Sequence, residues 1–133
     1  MSCAFCSISK NELESYAIYE DENTKAFLDI RPINKGHILV IPKEHVTSLQ
    51  EISDDLYAKL MSTVKQMSAL VDERIKPVKV GITIAGFDID HLHVHVIPMN
   101  KYHDITSQKY LDGSIQEAKD DTLAEVKNRL TVS

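Results

Sequence analysis

Cysteine is scarce in this chain. Cys3 and Cys6 are the only two among 133 residues, too few for a disulfide scaffold. No apolar run approaches the ~20 residues needed to span a bilayer. The N-terminus lacks a basic segment followed by an apolar one, so the expectation is a cytoplasmic chain without a signal peptide. No Lys/Arg cluster stands out and the formal net charge is −5, which argues against broad binding to nucleic-acid polyanions. Repeats, low-complexity tracts and linkers are also missing. With 43% hydrophobic and 26% charged residues, the expectation is one soluble domain over 1–133 that buries a proper core.

What is present in concentrated form is histidine. Three of the six histidines fall in Asp90-His91-Leu92-His93-Val94-His95-Val96-Ile97-Pro98, alternating with aliphatics. A period of two is the strand period, so the imidazoles share one face and Leu92, Val94 and Val96 take the other. Neighbouring imidazoles then stand roughly 6–7 Å apart, close enough for one phosphate to touch two of them. The aliphatic face suits burial against helices. Pro98, without an N–H, is expected to end the ladder. Three chemistries fit such a strand: a polar face with no further role, metal binding through His at i and i+2, or nucleophilic and acid–base catalysis by imidazole.

Around this strand the sequence reads as α+β. Residues 16–20 and 24–30 form a hairpin about the polar turn 21–23. A Pro- and Gly-marked loop, 31–36, leads to a nearly all-apolar and therefore central strand at 37–42. Residues 53–75 form the clearest helix. Leu56, Leu60, Val64, Met67, Val71 and Ile75 recur every three or four residues, Ser53 is the N-cap, and Asp54 and Asp55 favour the first turn. Lys76-Pro77 stops it. Met61 and Met67 are read as core filler. A further strand covers 78–85, and residues 116–130 form a short helix with Ala118, Leu123, Val126 and Leu130 inward. Strands, one helix, then strands again is an α+β order, not alternating βαβ.

Three separated blocks resemble the histidine triad family of nucleotide hydrolases and transferases: Phe27-Leu28-Asp29-Ile30-Arg31-Pro32, Gly36-His37-Ile38-Leu39-Val40-Ile41-Pro42, and the triad at 91–97. The resemblance runs over about 3–98 and leaves the C-terminal tail 103–133 unanchored; His103 there is read as solvated surface. It implies a five-stranded antiparallel sheet with two helices, forming a homodimer. It further implies that His93 is the nucleophile and that His95 and His37 flank it. Asp29 would bind ribose hydroxyls. Phe5, Ile8, Phe27 and Ile30 would line the base pocket, and Asp88 would sit beside the leaving group. Chemistry agrees, since a neutral imidazole can split one displacement into two, neighbouring imidazoles can donate to phosphate oxygens, and a carboxylate accepts from a diol. For Asp29 the alternative is a turn residue at a strand end, and for His37 a buried structural histidine.

Some members of the family carry a structural zinc on C-x-x-C and two histidines, and Cys3, Cys6, His45 and His91 stand at the matching places. The alternative there is a vestigial site in which His91 supports His93. The departure from the family lies just before the triad. Many members have a small polar turn such as Gly-Gln-Ser, whereas this chain has Gly86-Phe87-Asp88-Ile89-Asp90, and a carboxylate near a phosphate is repulsive unless protonated or turned away. The resulting expectation is a hydrolase cleaving a P–N or P–O bond at the α-phosphate of a purine nucleoside phosphoramidate or dinucleoside polyphosphate. A transferase of the same superfamily is the near rival, but that branch typically has glutamine at the place of His95. The different-class alternative is a nucleotide-binding, zinc-stabilised interaction protein with little turnover.

Overall fold

The computed structural model describes residues 3–106 and 115–131. Its strands are β1 (Ala17–Glu20), β2 (Thr24–Leu28), β3 (Ile38–Pro42), β4 (Lys79–Thr83) and β5 (Val94–Met99). They form one antiparallel sheet in the order β1-β2-β3-β5-β4. The helices are α1 (Ala4–Ser9), α2 (Asp54–Arg74), α3 (His103–Thr106) and α4 (Asp120–Thr131). The expected five-stranded sheet with two substantial helices, α2 and α4, is therefore present.

Local chemistry explains most of the boundaries. Asp21 closes the first hairpin, its Oδ1 accepting from the amides of Asn23 and Thr24 at 2.8 Å each. Ser53 caps α2, its Oγ accepting from the Leu56 amide at 3.2 Å, with Asp54 and Asp55 in the first turn to complement the helix dipole. Gly36 ends the loop before β3 at φ +96, and a Cβ there would meet Ile75 Cγ1 at 2.9 Å. Both the left-handed backbone and the close approach require glycine.

Pro98 does not end its strand. It pairs with Val80, and β5 continues to Met99. The Pro98 carbonyl accepts from Asn34 Nδ2 at 2.8 Å, on the side where β3 has already run out, since the β3–β5 register ends at Ile38↔Val96. The missing N–H therefore faces no ladder partner.

The two faces of the sheet bury different things. Ala26, Leu28, Ile38, Val40, Val94 and Val96 pack with Leu92 against the stripe of Leu56, Leu60, Val64, Met67 and Val71 on α2 and against Leu123, Val126 and Leu130 on α4. The opposite face holds Phe27, Leu39 and Ile41, covered by Phe5 and Ile8 of α1. This second cover explains why every residue of β2 and β3 is buried. Lys25 ties it down: only 2% exposed, its Nζ donates to the Ile8 carbonyl and to Asn11 Oδ1, each at 2.9 Å, beside the C-terminal end of α1. The helix expected at 116–130 begins later, at Asp120. Ala118 instead donates its amide to the Ile30 carbonyl at 2.7 Å, bringing the chain onto the end of β2 before the helix starts.

Candidate active site and metal cluster

The alternation of the triad holds although the strand does not reach all of it. β5 begins at Val94, so His95 stands on the ladder while His91 and His93 precede it. The His93 and His95 rings lie closer than the roughly 6–7 Å of a regular strand. Leu92, Val94 and Val96 enter the helix-side core, while the rings of His93 and His95 stand face to edge with centroids 5.0 Å apart. Phe5 packs edge-on against His93 at 5.1 Å and against Phe27 at 5.4 Å. His91, His93 and His37 are 1% exposed or less. A buried imidazole needs partners, and the partners here settle which nitrogens carry protons.

The Ile33 amide donates to His37 Nδ1 at 3.0 Å, which leaves the His37 proton on Nε2. That nitrogen lies 2.9 Å from His95 Nδ1 and donates to it. His95 must then carry its own proton on Nε2. Burial, followed by His95 and His93, holds the His37 pKa down to about 3. Burial and His93 hold His95 down to about 4, with Asp88 opposing. Both rings are neutral near pH 7, as a one-proton-per-ring relay requires. The 3.6 Å approach of Asp29 Oδ2 to His37 Nε2 is accordingly no ion pair.

His93 is held differently. Its Nδ1 donates to the His91 carbonyl at 2.7 Å, so the lone pair of the neutral ring is on Nε2. That atom is buried without a hydrogen-bond partner. Asp88 Oδ1 stands 3.3 Å from it without the alignment of a hydrogen bond. An orphaned buried lone pair is costly and marks a place where another atom belongs.

Asp29 follows β2, its Oδ1 accepting from the Arg31 amide at 2.9 Å. Burial raises its pKa to about 6, with the Asp88 charge adding to the rise against the Arg31 hydrogen bond. Phe5, Ile8 and Phe27 are buried together with Leu39 and Ile41. Ile30 lies outside that group and is 47% exposed. A cavity of about 290 Å³ reaches His93, walled by residues 47–50 and 84–86 together with Leu92. That wall carries no motif in the sequence; its only signal is the polar run Thr47-Ser48 ahead of Gln50.

Cys3, Cys6, His45 and His91 come together as expected, with all four ligand atoms within 4.8 Å of one another. Cys6 Sγ lies 3.0 Å from His45 Nδ1 and 3.4 Å from His91 Nδ1, and Cys3 Sγ lies 3.5 Å from His91 Nδ1. A tetrahedral zinc with bonds of about 2.0–2.3 Å has ligand–ligand edges of about 3.3–3.8 Å; both His91 distances fall in that range, and the Cys6–His45 distance is shorter than it. His91 Nε2 meanwhile donates to the Pro42 carbonyl at 2.9 Å, which frees Nδ1 as the ligand atom and fixes the ring. His103 is exposed, as expected.

The neutral rings predict a pH effect on stability. In the unfolded chain His37 and His95 take up protons as the pH falls through about 6.5, whereas in the folded chain they do so only near 3 and 4. Between those limits the unfolded state binds more protons, so stability falls as the pH falls. Asp29 works the other way between about 4 and its folded value of about 6, offsetting part of the loss. His95→Asn is expected to lose less melting temperature than wild type between pH 7 and pH 5. Equal losses in a melting series would contradict the neutral relay.

Residues 10–102 match the family model of the HIT domain. The chain belongs to the histidine triad (HIT) family. Among its histidine triad relatives, an uncharacterized HIT-like protein of Borreliella burgdorferi is 41% identical over 106 residues, 74% of this chain and 76% of that protein. The adenosine 5'-monophosphoramidase hnt1 of Schizosaccharomyces pombe is 40% identical over 99 residues, 74% of each chain. Among solved structures, the Zn-bound histidine triad family protein of Mycobacterium smegmatis superposes with a TM-score of 0.79 at 29% identity, over 98% of this chain and 91% of that one. No helix among the described residues is long and apolar enough to cross a membrane.

Proposed function

We propose that this histidine triad protein is a nucleotide hydrolase, cleaving a P–N or P–O bond at the α-phosphate of a purine nucleoside phosphoramidate or dinucleoside polyphosphate. The observation that carries the reading is the His93 Nε2 lone pair, buried, oriented through Nδ1 and without a hydrogen-bond partner. Its likeness to adenosine 5'-monophosphoramidases points to the same chemistry. Nε2 bonds to the α-phosphorus as the bond to the leaving group breaks, and the departing atom takes the electron pair and a proton. Water then displaces Nε2, releasing the nucleoside monophosphate and restoring the ring. His95, kept neutral with its proton on Nε2, donates to the phosphoryl group as charge develops. His37 acts through His95 by fixing its tautomer. Asp29 accepts from the ribose hydroxyls, and Phe5, Ile8, Phe27 and Ile30 form the apolar side toward the base.

Cys3, Cys6, His45 and His91 would hold a zinc whose role is structural, closing the set with four protein ligands. The second copy in the proposed homodimer joins at β4, which is a sheet edge with Val78, Ile82 and Ile84 exposed beside it. An unpaired apolar edge of this kind is a pairing surface. Sedimentation at micromolar concentration is expected to give twice the chain mass, and a monomer there would contradict the dimer.

The Asp88 carboxylate so close to Nε2 favours one other reading, a nucleotide-binding protein with little turnover. Steady-state hydrolysis of adenosine 5'-phosphoramidate, measured beside AMP binding by calorimetry, separates the two. Many turnovers per chain support the hydrolase, whereas AMP binding without turnover supports the binding protein.

A further inference from the structure

Lys25 is a buried ionisable group to which the chemistry above gives no part. It is 2% exposed and lies in β2, where alternation sends Ala26 and Leu28 into the helix-side core and Phe27 to the opposite face. Lys25 shares the face of Phe27, beneath α1. An aliphatic residue would bury as much surface there without the cost of drying an ammonium group. What the amine adds is donors. Nζ reaches the Ile8 carbonyl and Asn11 Oδ1, each at 2.9 Å, with Glu20 Oε1 at 3.7 Å. Ile8 lies in the last turn of α1, and Asn11, at φ 61, makes the left-handed turn that leaves the helix. Lys25 therefore grips the helix at its exit.

That grip bears on the nucleophile. With six residues, α1 is too short to hold its own shape, and its position is set from outside. Its first end carries Cys3 and Cys6 of the metal cluster. At its other end the Ser9 Oγ contact to the Lys43 carbonyl is long, 3.5 Å, which leaves Lys25 as the stronger tie. The helix carries Phe5, edge-on to His93 at 5.1 Å. The bond from His93 Nδ1 to the His91 carbonyl fixes one point of the imidazole and not its plane, so the contact with Phe5 helps to aim Nε2.

We propose that Lys25 is a positioning residue for the reaction at His93: by holding the exit of α1 it keeps Phe5 against the imidazole. Its kinetic consequence rests on the hydrolase reading; its effect on the His93 ring does not. Lys25 acts through α1 alone, so its loss should matter only as far as Phe5 moves.

The test is nuclear magnetic resonance of the imidazole protons beside kcat/KM for adenosine 5'-phosphoramidate, with every sample at the metal content of wild type. An aromatic ring displaces the resonances of protons near it, so Phe5→Leu shows where those of His93 fall without it. Lys25→Met keeps an unbranched side chain and removes the donors. Its His93 resonances are expected to move toward the Phe5→Leu positions, and kcat/KM to fall about tenfold or more, as a small misplacement at a reacting group costs. Made in Phe5→Leu, the same substitution should cost little more, because the two act through one contact. Val71→Ala, in the core on the other face of the sheet, loses stability without touching α1 and should leave the His93 resonances in place. Asn11→Gly keeps the left-handed turn, removes one partner of Nζ, and should move them in the same direction by less; it decides the matter if Lys25→Met does not fold. Resonances unmoved in the Lys25 and Asn11 variants, moved as far in Val71→Ala, or losses that simply add in the double variant overturn the role of Lys25. If wild type turns nothing over, the hydrolase reading falls, and the resonances together with AMP affinity still decide for or against Lys25.

Discussion

His93→Ala is expected to lower kcat for nucleoside phosphoramidate hydrolysis by several orders of magnitude while leaving the chain folded and able to bind AMP. The ring sits on the side of the sheet away from the main core, against Phe5. Its removal therefore opens space under α1 without disturbing the packing of α2. What is lost is the only histidine Nε2 found buried and unpartnered among the described residues. Knockouts of covalent nucleophiles in serine-triad enzymes cost about 10⁶ in kcat, and the same order is expected here. His95→Ala and His37→Ala should be slower than wild type but not dead. The first removes a donor to the phosphoryl group, and the second removes only the partner that sets the His95 tautomer. Steady-state kinetics of the three variants, with circular dichroism to check folding, gives the ranking. A His93→Ala protein that keeps a tenth of the wild-type rate would show that the nucleophile is another residue.

Zinc removal should produce the second large effect, on stability. The chain is expected to purify with about one zinc per copy when chelators are avoided. A metal held by Cys3, Cys6, His45 and His91 would join α1 to the loop after β3 and to the segment entering β5, contacts far apart in sequence. Binding free energy at such a site is folding free energy, of order 10 kcal/mol in small zinc modules, so even a fraction of it moves the melting temperature by many degrees. His91 connects this cluster to the chemistry, because its ring belongs to the metal set while its carbonyl accepts the His93 Nδ1 proton at 2.7 Å. His91→Ala is therefore expected to lower both melting temperature and turnover. Elemental analysis and thermal melts with and without chelator check this. Protein free of zinc whose melting point does not rise on adding the metal would contradict it.

The parts of the fold that sequence exposes are those carried by one residue's periodicity or one residue's chemistry. The α2 stripe from Leu56 to Val71 and the Ser53 cap are of this kind, and both stand where expected. So is the triad alternation, and so is the four-residue cluster of Cys3, Cys6, His45 and His91. What stays hidden depends on tertiary neighbours. The helix α1 is only six residues long, with no turn of apolar period to reveal it, yet its Phe5 closes the second face of the sheet. Lys25 carries a charge into the sheet and is buried there because a helix end offers it a carbonyl. Pro98 sits inside β5 because β3 ends two residues earlier on that side. The His37–His95 relay needs the Ile33 amide, which belongs to no motif. The cavity wall at residues 47–50 comes from a loop whose approach to His93 no local pattern encodes.

The most direct measurement is intact-mass spectrometry of the protein mixed with an adenosine 5'-phosphoramidate and quenched within one turnover in alkaline denaturant, where a histidine P–N bond survives, followed by peptide mapping. An adduct of one AMP per chain, located on His93, formed before free AMP appears and lost on a chase with water alone, is the expected result. Product released within the first turnover with no adduct, or an adduct on any other residue, would contradict the assignment of His93 as the covalent nucleophile.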